Sequence, residues 1–506
     1  MFVKIHSGAP IGLECVPVTV EVDVAGSWPG YTIVGLPDTA IQEAKERIRT
    51  AWKNSGLDFP NNSRIIINLA PADIRKEGAS YDLPMALGMY SASQKIDLAL
   101  DDAVVAGELA LDGSVRHTGG ILPLASFCAS HGYKRLFVPE ANAMEASLVK
   151  NLDVYPVKNL AELIRHLTIK EEIIKTPPHD HAMNAVQATY DMDMQDIYGQ
   201  GSAKRAIEIA ASGAHNILLF GPPGSGKTLL AKSMPSILPS LTREEAIECT
   251  KIYSVAGLLE KKHQMISLRP FRAPHHSASA VSLVGGGAVP KPGEISLAHR
   301  GVLFLDEFGE FPRHVLETLR QPLEDGIVTV SRAQGTLTFP ARFTLVASQN
   351  PCPCGFLGDT EKSCVCTRTT ILRYQKKISG PLLDRIDLHI EVPRMPFEKI
   401  SQSEKEEASS RIRARVEEAR ERQTKRFRDT PCVTNADMRP KEIQQFCPLT
   451  DPSIELLRSA MTRLKLSARS YHRMIKVART IADLEGSDRI EKTHIAEAIQ
   501  YRPTVD

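Results

Sequence analysis

The stretch NILLFGPPGSGKTLLAKSM, residues Asn216–Met234, decides how the middle of this 506-residue chain folds. Asn216–Phe220 is a short apolar run of strand character. It passes into Gly221, Pro222, Pro223, Gly224, Ser225, Gly226, Lys227 and Thr228, and then into a helical continuation from Leu229. Strand, glycine-rich loop and helix in that order are the context a phosphate-binding P-loop requires. The glycines let backbone N–H groups turn inward around phosphate oxygens. Lys227 reaches the β and γ oxygens, and the Thr228 hydroxyl joins the Mg²⁺ shell. ATP with Mg²⁺ is the expected ligand.

Working outward, GVLFLDE at 301–307 is a buried strand ending in two carboxylates. Asp306 is expected on the Mg²⁺ shell and Glu307 against the attacking water; a pair of helix-capping carboxylates is the plainer reading. RFTLVASQN at 342–350 is a second buried strand, with Asn350 at its tip beside the γ-phosphate. GPLLDRIDLHIEV at 380–392 carries Arg385 between two apolar clusters. An arginine meeting the developing charge accelerates phosphoryl transfer strongly. One placed so late in the chain suits supply by a neighbouring subunit, although an ion pair to Asp384 or Asp387 would also account for it. SARSYHR at 467–473 offers Arg469, in preference to Arg473, as a second phosphate sensor.

The rest of the chain bounds the class. Apolar residues make up 42% and charged residues 24%, and the formal net charge is +2, so any basic surface must be local. The first residues lack the apolar core of a signal peptide, and no run approaches the ~18 apolar residues of a membrane span. A cytoplasmic, membrane-free location is the expectation. Three blocks and a linker appear: 1–167, mixing strands (Val16–Val24, Arg64–Leu69, Arg135–Val138) with helices (Ala40–Asn54, Pro84–Ser93); a Pro- and His-bearing linker, 168–190; an alternating α/β core, 191–393, implying a parallel sheet; and a helical block, 394–506. Within the last, Ser401–Thr430 holds nine basic and seven acidic residues and reads as a solvated helix or arm. Leu456–Leu484 has amphipathic spacing suited to packing on the core.

Four of the nine cysteines cluster as C-x-C, nine residues, C-x-C: Cys352, Cys354, Cys364 and Cys366. Four thiolates enclose a tetrahedral Zn²⁺ as a closed, structural site; four reduced thiols in a loop is the alternative. Cys15, Cys128, Cys249, Cys432 and Cys447 show no pairing logic.

P-loop, acidic pair, Asn350, Arg385 and lid arginine in that order resemble an AAA+ ATPase. DIYGQ at 196–200, with Tyr198, is similar to the segment flanking the adenine in such proteins. FRAPHHSAS (271–279) and LVGGG (283–287) resemble the magnesium-chelatase-like branch, which carries an insert in helix 2 and a hairpin before the Asn350 strand. That hairpin is expected at Gly326–Phe339, turning at Gln334-Gly335. KEGASYDLPMAL (76–87), GELALDGSVRHTGGILPLA (107–125) and RLFVPEAN (135–142) resemble the Lon-protease catalytic domain. Ser80 stands at that family's nucleophile, but Leu122 stands where its lysine belongs, and an alkyl chain cannot accept a proton. No peptidase activity is therefore expected. Arg75, Lys76 and Arg116 are candidate DNA contacts of this domain, or plain surface charges.

A Lon-like domain joined to a magnesium-chelatase-like AAA+ module resembles the ComM/YifB family over essentially the whole chain. The implied fold is α/β: an AAA+ P-loop parallel sheet with a helical lid, plus an N-terminal α+β domain like domain 2 of ribosomal protein S5. The implied activity is an ATP-driven homohexameric ring helicase on single-stranded and branched DNA, promoting branch migration in natural transformation. Arg332 in the hairpin and Lys291 near the helix-2 insert are candidate DNA contacts; each is equally well an ordinary solvent-facing charge. A metal-chelatase motor subunit, an ATP-dependent protease and a nucleotide-switched scaffold are the competing readings.

Overall fold

The computed structural model describes all residues except 27, 77, 170, 179–189, 260–264, 288–289, 333–334, 360, 396–405, 464–466 and 503–506. The chain forms two compact units. One is Met1–Asn184 with Ala246–Ile266; the other is Ala185–Glu245 with Ser267–Asp506. Residues 246–266, expected within the α/β core, thus pack with the N-terminal unit. Most of the expected linker, 179–189, lies outside the described residues.

The N-terminal unit is built on a seven-stranded mixed sheet. Its order is Gly30–Val34, Arg64–Ala70, Glu14–Ala25, Phe2–Ile11, Ala103–Val105, Arg135–Pro139 and Asp153–Val157. Phe2–Ile11 and Glu14–Ala25 form a hairpin in which Ile11 faces Glu14. Strict alternation buries Val18, Val20 and Val22 on one face, the period-2 pattern of a half-covered strand. Helix Asp82–Gln94 lies against that face, where a Cβ on Gly88 would meet Val22 at 2.6 Å, and helix Thr39–Asn54 adds Ile41, Ala44, Ile48 and Trp52, a helical stripe, to the same core. The Asp38 carboxylate accepts the Ile41 N–H at 2.8 Å and caps its start. Helix Asp82–Gln94 is buried on nearly every side.

Ser80 is half-buried in the single turn Ala79–Tyr81. Leu122 is fully buried in the first turn of helix Ile121–Ser130, and its N–H donates to Glu145 Oε1 at 3.0 Å. Burial holds the Glu145 carboxyl above its ordinary range, and the Ser254 hydroxyl, on the inserted segment, also donates to it. Lys76 is fully buried, with its ammonium donating to the Pro71 carbonyl. It is therefore no DNA contact, a correction to the sequence reading. Arg116 is exposed and faces Glu108 at 3.7 Å.

The second unit holds a five-stranded parallel sheet in the order Phe271–Arg272, Val302–Leu305, Thr344–Gln349, Ile217–Phe220, Leu388–Glu391. Strands covered on both faces read as continuous apolar runs, and Val302–Leu305 is buried at every position. Ile217, Leu219, Val346 and Leu388 share one core with Ala206 and Ile209 of helix Gly201–Gly213. The P-loop strand is thus internal, and its C-terminal end meets the ends of the acidic-pair and Asn350 strands. This is where ligands bind in open parallel sheets.

Three local expectations change. The charged stretch 401–430 is no free arm where it is described. Helix Ser409–Arg426 buries Ile412, Val416, Ala419 and Gln423, while Arg420 donates to the Ala211 carbonyl and Arg415 pairs with Glu208. Its charges sit on one face and at the rim, so the sparse apolar residues suffice. Leu456–Leu484 is divided between helices Asp451–Arg463 and Ala468–Leu484. In the hairpin Ile327–Arg332/Gly335–Pro340, Gly335, expected in the turn, belongs to the second strand and pairs with Arg332; residues 333–334 lie outside the described residues. Among the described residues no helix is long and apolar enough to cross a membrane.

Candidate active site

The P-loop leaves strand Ile217–Phe220 and enters helix Lys227–Ser233. Gly224 and Gly226 sit at φ +76° and +92°, left-handed values that a side chain would strain. A Cβ on Gly221 would lie 2.2 Å from the Val392 carbonyl oxygen, so only glycine admits this approach of the neighbouring strand.

Lys227 is only 8% exposed. Its Nζ donates to the Gly221 and Pro222 carbonyls, each at 2.8 Å, and lies 3.4 Å from Asn350 Oδ1. Burial pulls the ammonium down to about 8, against the opposing pull of Asp306. The sequence-expected partners, Lys227 and Asn350, are therefore together. Leu229 is exposed in the first helical turn.

Thr228 Oγ1 donates to Asp306 Oδ2 at 3.0 Å. The other carboxylate oxygen accepts from the buried Ser348 hydroxyl and, at 3.1 Å, from the Glu307 N–H. A hydroxyl and a carboxylate side by side, beside a lysine, are the hard oxygen donors Mg²⁺ takes, so the residues present fit that ion. Ser348 is a site residue the sequence reading quoted without assigning; its place two residues before Asn350 on a strand of period 2 was the available signal. Glu307 sits at φ +52°, and its half-exposed carboxylate approaches His276 Nδ1 at 3.3 Å.

Tyr198 is half-buried. In its segment Gln200 makes the link to the loop: its amide donates to the Ser225 carbonyl at 3.2 Å and to Pro393 O at 2.6 Å.

Arg385 pairs with Glu324, and not with Asp384 or Asp387. Glu324 closes helix Arg320–Asp325 and also takes Arg469 at 3.3 Å. The two arginines expected to sense phosphate are thus joined by one carboxylate, which no local pattern foretold. Arg473 turns inward to Asp387 at 3.6 Å, where His215 and Thr480 complete a buried polar cluster.

Cys352, Cys354, Cys364 and Cys366 place their sulfurs within 4.8 Å of one another. Cys352 lies 3.3 Å from Cys354 and 3.6 Å from Cys364. Sulfurs about a tetrahedral Zn²⁺ at ~2.3 Å stand roughly 3.7 Å apart, so the four fit that ion. Hydrogen bonds from the Phe356 and Val365 N–H groups draw the Cys354 thiol down to about 6, while burial and the neighbouring sulfurs hold the Cys364 and Cys366 thiols above their ordinary value. A Cβ on Gly355 would meet the Pro223 side chain at 2.7 Å, so this loop rests on the P-loop. Lys291 is exposed in the small hairpin Gly285–Gly286/Lys291–Pro292. Arg332 ends its strand, with its side chain outside the described residues.

Family models match in three places. "Magnesium chelatase, subunit ChlI" covers residues 193–400, "Subunit ChlI of Mg-chelatase" covers 20–142, and "Magnesium chelatase, subunit ChlI C-terminal" covers 406–502. The chain is 43% identical to Competence protein ComM of Haemophilus influenzae, over 99% of this chain and 97% of that protein. The chain belongs to the ComM/YifB family. Escherichia coli YifB, described as uncharacterized, is 42% identical over 98% of this chain and 96% of its own length. The Magnesium-chelatase 38 kDa subunit of Rhodobacter capsulatus is 26% identical over 59% of the chain and 83% of its own. ComM/YifB members therefore share the magnesium-chelatase-like AAA+ fold, and the chain's P-loop site lies inside the region matched by the first model.

Proposed function

We propose that this protein is an ATP hydrolase that drives a homohexameric ring along single-stranded and branched DNA, promoting branch migration of recombination intermediates during natural transformation. The observation that carries the hydrolytic part is the convergence of Lys227, Thr228, Asp306, Asn350 and Glu307 beyond the C-terminal ends of three internal strands. The DNA part leans on the full-length likeness to a protein named for competence.

In this reading Lys227 exchanges its loop carbonyls for phosphate oxygens, and Thr228 with Asp306 holds Mg²⁺, which neutralises charge on the transferring group. Asn350 and Glu307 orient and polarise the water. Arg385 meets the developing charge on a neighbour's nucleotide, with Arg469 beside it. Cys352, Cys354, Cys364 and Cys366 hold a structural Zn²⁺. Lys291 and Arg332 contact DNA phosphates, so binding weakens steeply with salt. The N-terminal domain has no peptidase activity, because Leu122 is a buried alkyl group at the lysine's place. The protein works in the cytoplasm.

The chelatase reading has the partial likeness of the 38 kDa subunits behind it, against nearly complete coverage by the competence relative. Unwinding of a three- or four-stranded DNA junction tests the proposal, with Lys227→Ala as control. ATP-dependent strand displacement lost in K227A is the expected result. Robust ATP turnover with neither DNA stimulation nor junction movement overturns the DNA assignment.

A further inference from the structure

Arg385 sits in the turn between the single-turn helix Gly380–Leu383 and strand Leu388–Glu391. Among the described residues its side-chain hydrogen bonds go to the Pro381 carbonyl, at 2.7 Å, and to Glu324. Neither ties it to the sheet. Where the guanidinium can reach is therefore set by what holds the main chain of the turn.

That main chain is held from the P-loop strand. Asn216 is half-buried and stands one residue before strand Ile217–Phe220. Its Nδ2 donates to the Arg385 carbonyl at 2.9 Å, across 169 positions. Its Oδ1 accepts the Leu345 N–H at 2.8 Å, near the start of the strand that ends beside Asn350. Its own carbonyl accepts the N–H groups of Asp387 and Leu388, at 2.9 and 3.0 Å, and Arg473 donates to the Ile386 carbonyl at 3.3 Å. The bonds to Asp387 and Leu388 run from main chain to main chain and survive a change of side chain. The bond to the Arg385 carbonyl is the one that the side chain at 216 decides.

An amide suits this place because it donates from one atom and accepts at the other. A carboxylate would keep the Leu345 bond but set an acceptor against the Arg385 carbonyl. A misplacement of ~1 Å at a reacting centre costs about a hundredfold in rate, and a long side chain magnifies any tilt at its base. We propose that Asn216 is a positioning residue that fixes the turn from which Arg385 is presented, a role that rests on Arg385 meeting the developing charge on a neighbour's nucleotide. The strand that leads into one protomer's P-loop then also anchors the arginine offered to the next.

The test is a double-mutant cycle on the full chain: hydrolysis of radiolabelled ATP by the parent, Asn216→Asp, Arg385→Ala and the two combined. R385A is expected to lower kcat about a thousandfold. N216D is expected to lower it about tenfold, with KM for ATP within about twofold of the parent. The combined variant is expected within about twofold of R385A, because a residue that acts through another adds nothing once that other is gone. A combined variant about tenfold slower than R385A overturns the proposal, since Asn216 would then serve its own P-loop or the Leu345 strand. N216D turnover within about twofold of the parent overturns it as well. R385A turning over like the parent overturns the arginine reading itself, and the positioning role with it. If N216D does not fold, as thermal melting shows, Asn216→Ala takes its place in the cycle and is read the same way.

Discussion

Among the described residues each unit buries one lysine beside a glycine-bearing loop, and the two residues have opposite fates. Lys76 is fully buried in the N-terminal unit and Lys227 is 8% exposed in the other. Burial lowers the pKa of both. Lys76 gives its ammonium to the Pro71 carbonyl of its own loop, with the charge of Asp73 as a weaker pull against burial. Lys227 rests on two loop carbonyls, with Asn350 and the Asp306–Thr228 pair close by. A desolvated lysine is a structural plug in one place and a charge awaiting phosphate in the other. What separates them is the second set of polar groups, not the burial.

Two substitutions test that contrast with the largest expected effect. Lys227→Ala should lower ATP turnover by roughly a hundredfold or more, as loss of a central transition-state donor does. Lys76→Met should leave turnover unchanged and shift unfolding by less than about 2 kcal/mol, because a well-packed apolar replacement of a buried charge is often neutral. ATP hydrolysis and thermal melts on the same preparations check both. A K76M protein that melts normally but loses turnover would break the comparison.

Much of the second unit was readable because its chemistry is local. Loop, acidic pair and Asn350 each stand at the end of an apolar strand, and parallel order brings such ends together. The contacts that were not readable join residues far apart in sequence: Arg385 to Glu324 across 61 positions and Arg469 to the same carboxylate across 145. Half-exposed carboxylates on short helices carry no pattern that names a partner. Strands Phe271–Arg272 and Leu388–Glu391 complete the sheet from two and four residues, too short for periodicity to show. In the first unit, the hairpin from Phe2 escaped notice because Gly8 and Pro10 interrupt its alternation. The charged helix Ser409–Arg426 misled because composition weighs every face, whereas packing needs only one.

The cysteine cluster gives the next effect in size. It starts two residues after Asn350, and Gly355 packs on Pro223, so losing the clasp should disturb both. Stripping the metal, or Cys354→Ser, is expected to lower kcat about tenfold, since small misplacements at the reacting centre are expensive. The check is zinc content near one per chain in parallel with turnover. Full activity in zinc-free protein would reduce the clasp to packing. A smaller effect is expected at Glu324. Its carboxylate is half-exposed, which keeps its ion pairs to about 1 kcal/mol, so Glu324→Gln should free Arg385 and Arg469 and raise turnover by no more than about fivefold. Decreased turnover in a folded E324Q protein would show that the carboxylate supports the arginines instead of detaining them.

The smallest effect returns to the two units, through groups remote from the site. Asp82 is buried beside Arg47, and burial outweighs the arginine and raises its carboxyl to about 6. A folded pKa above the unfolded ~3.9 means the folded unit binds more protons between about pH 6 and 4. Its stability should therefore rise by roughly 1 kcal/mol from pH 7 to pH 5. His389, in strand Leu388–Glu391, is held down to about 4 by burial and then by Arg502. Here the folded state binds fewer protons than the unfolded one, whose pKa is ~6.5, so stability is full above that value and falls by roughly 2 kcal/mol at pH 5. Acid should thus loosen the nucleotide-binding unit while it tightens the N-terminal one. Hydrogen exchange resolved along the full chain at pH 7 and pH 5, corrected for intrinsic rates, separates the two. His389→Gln should remove the acid sensitivity of the second unit and leave the first untouched. If both units weaken together in that variant, the titrating groups lie elsewhere and the two cores do not respond independently.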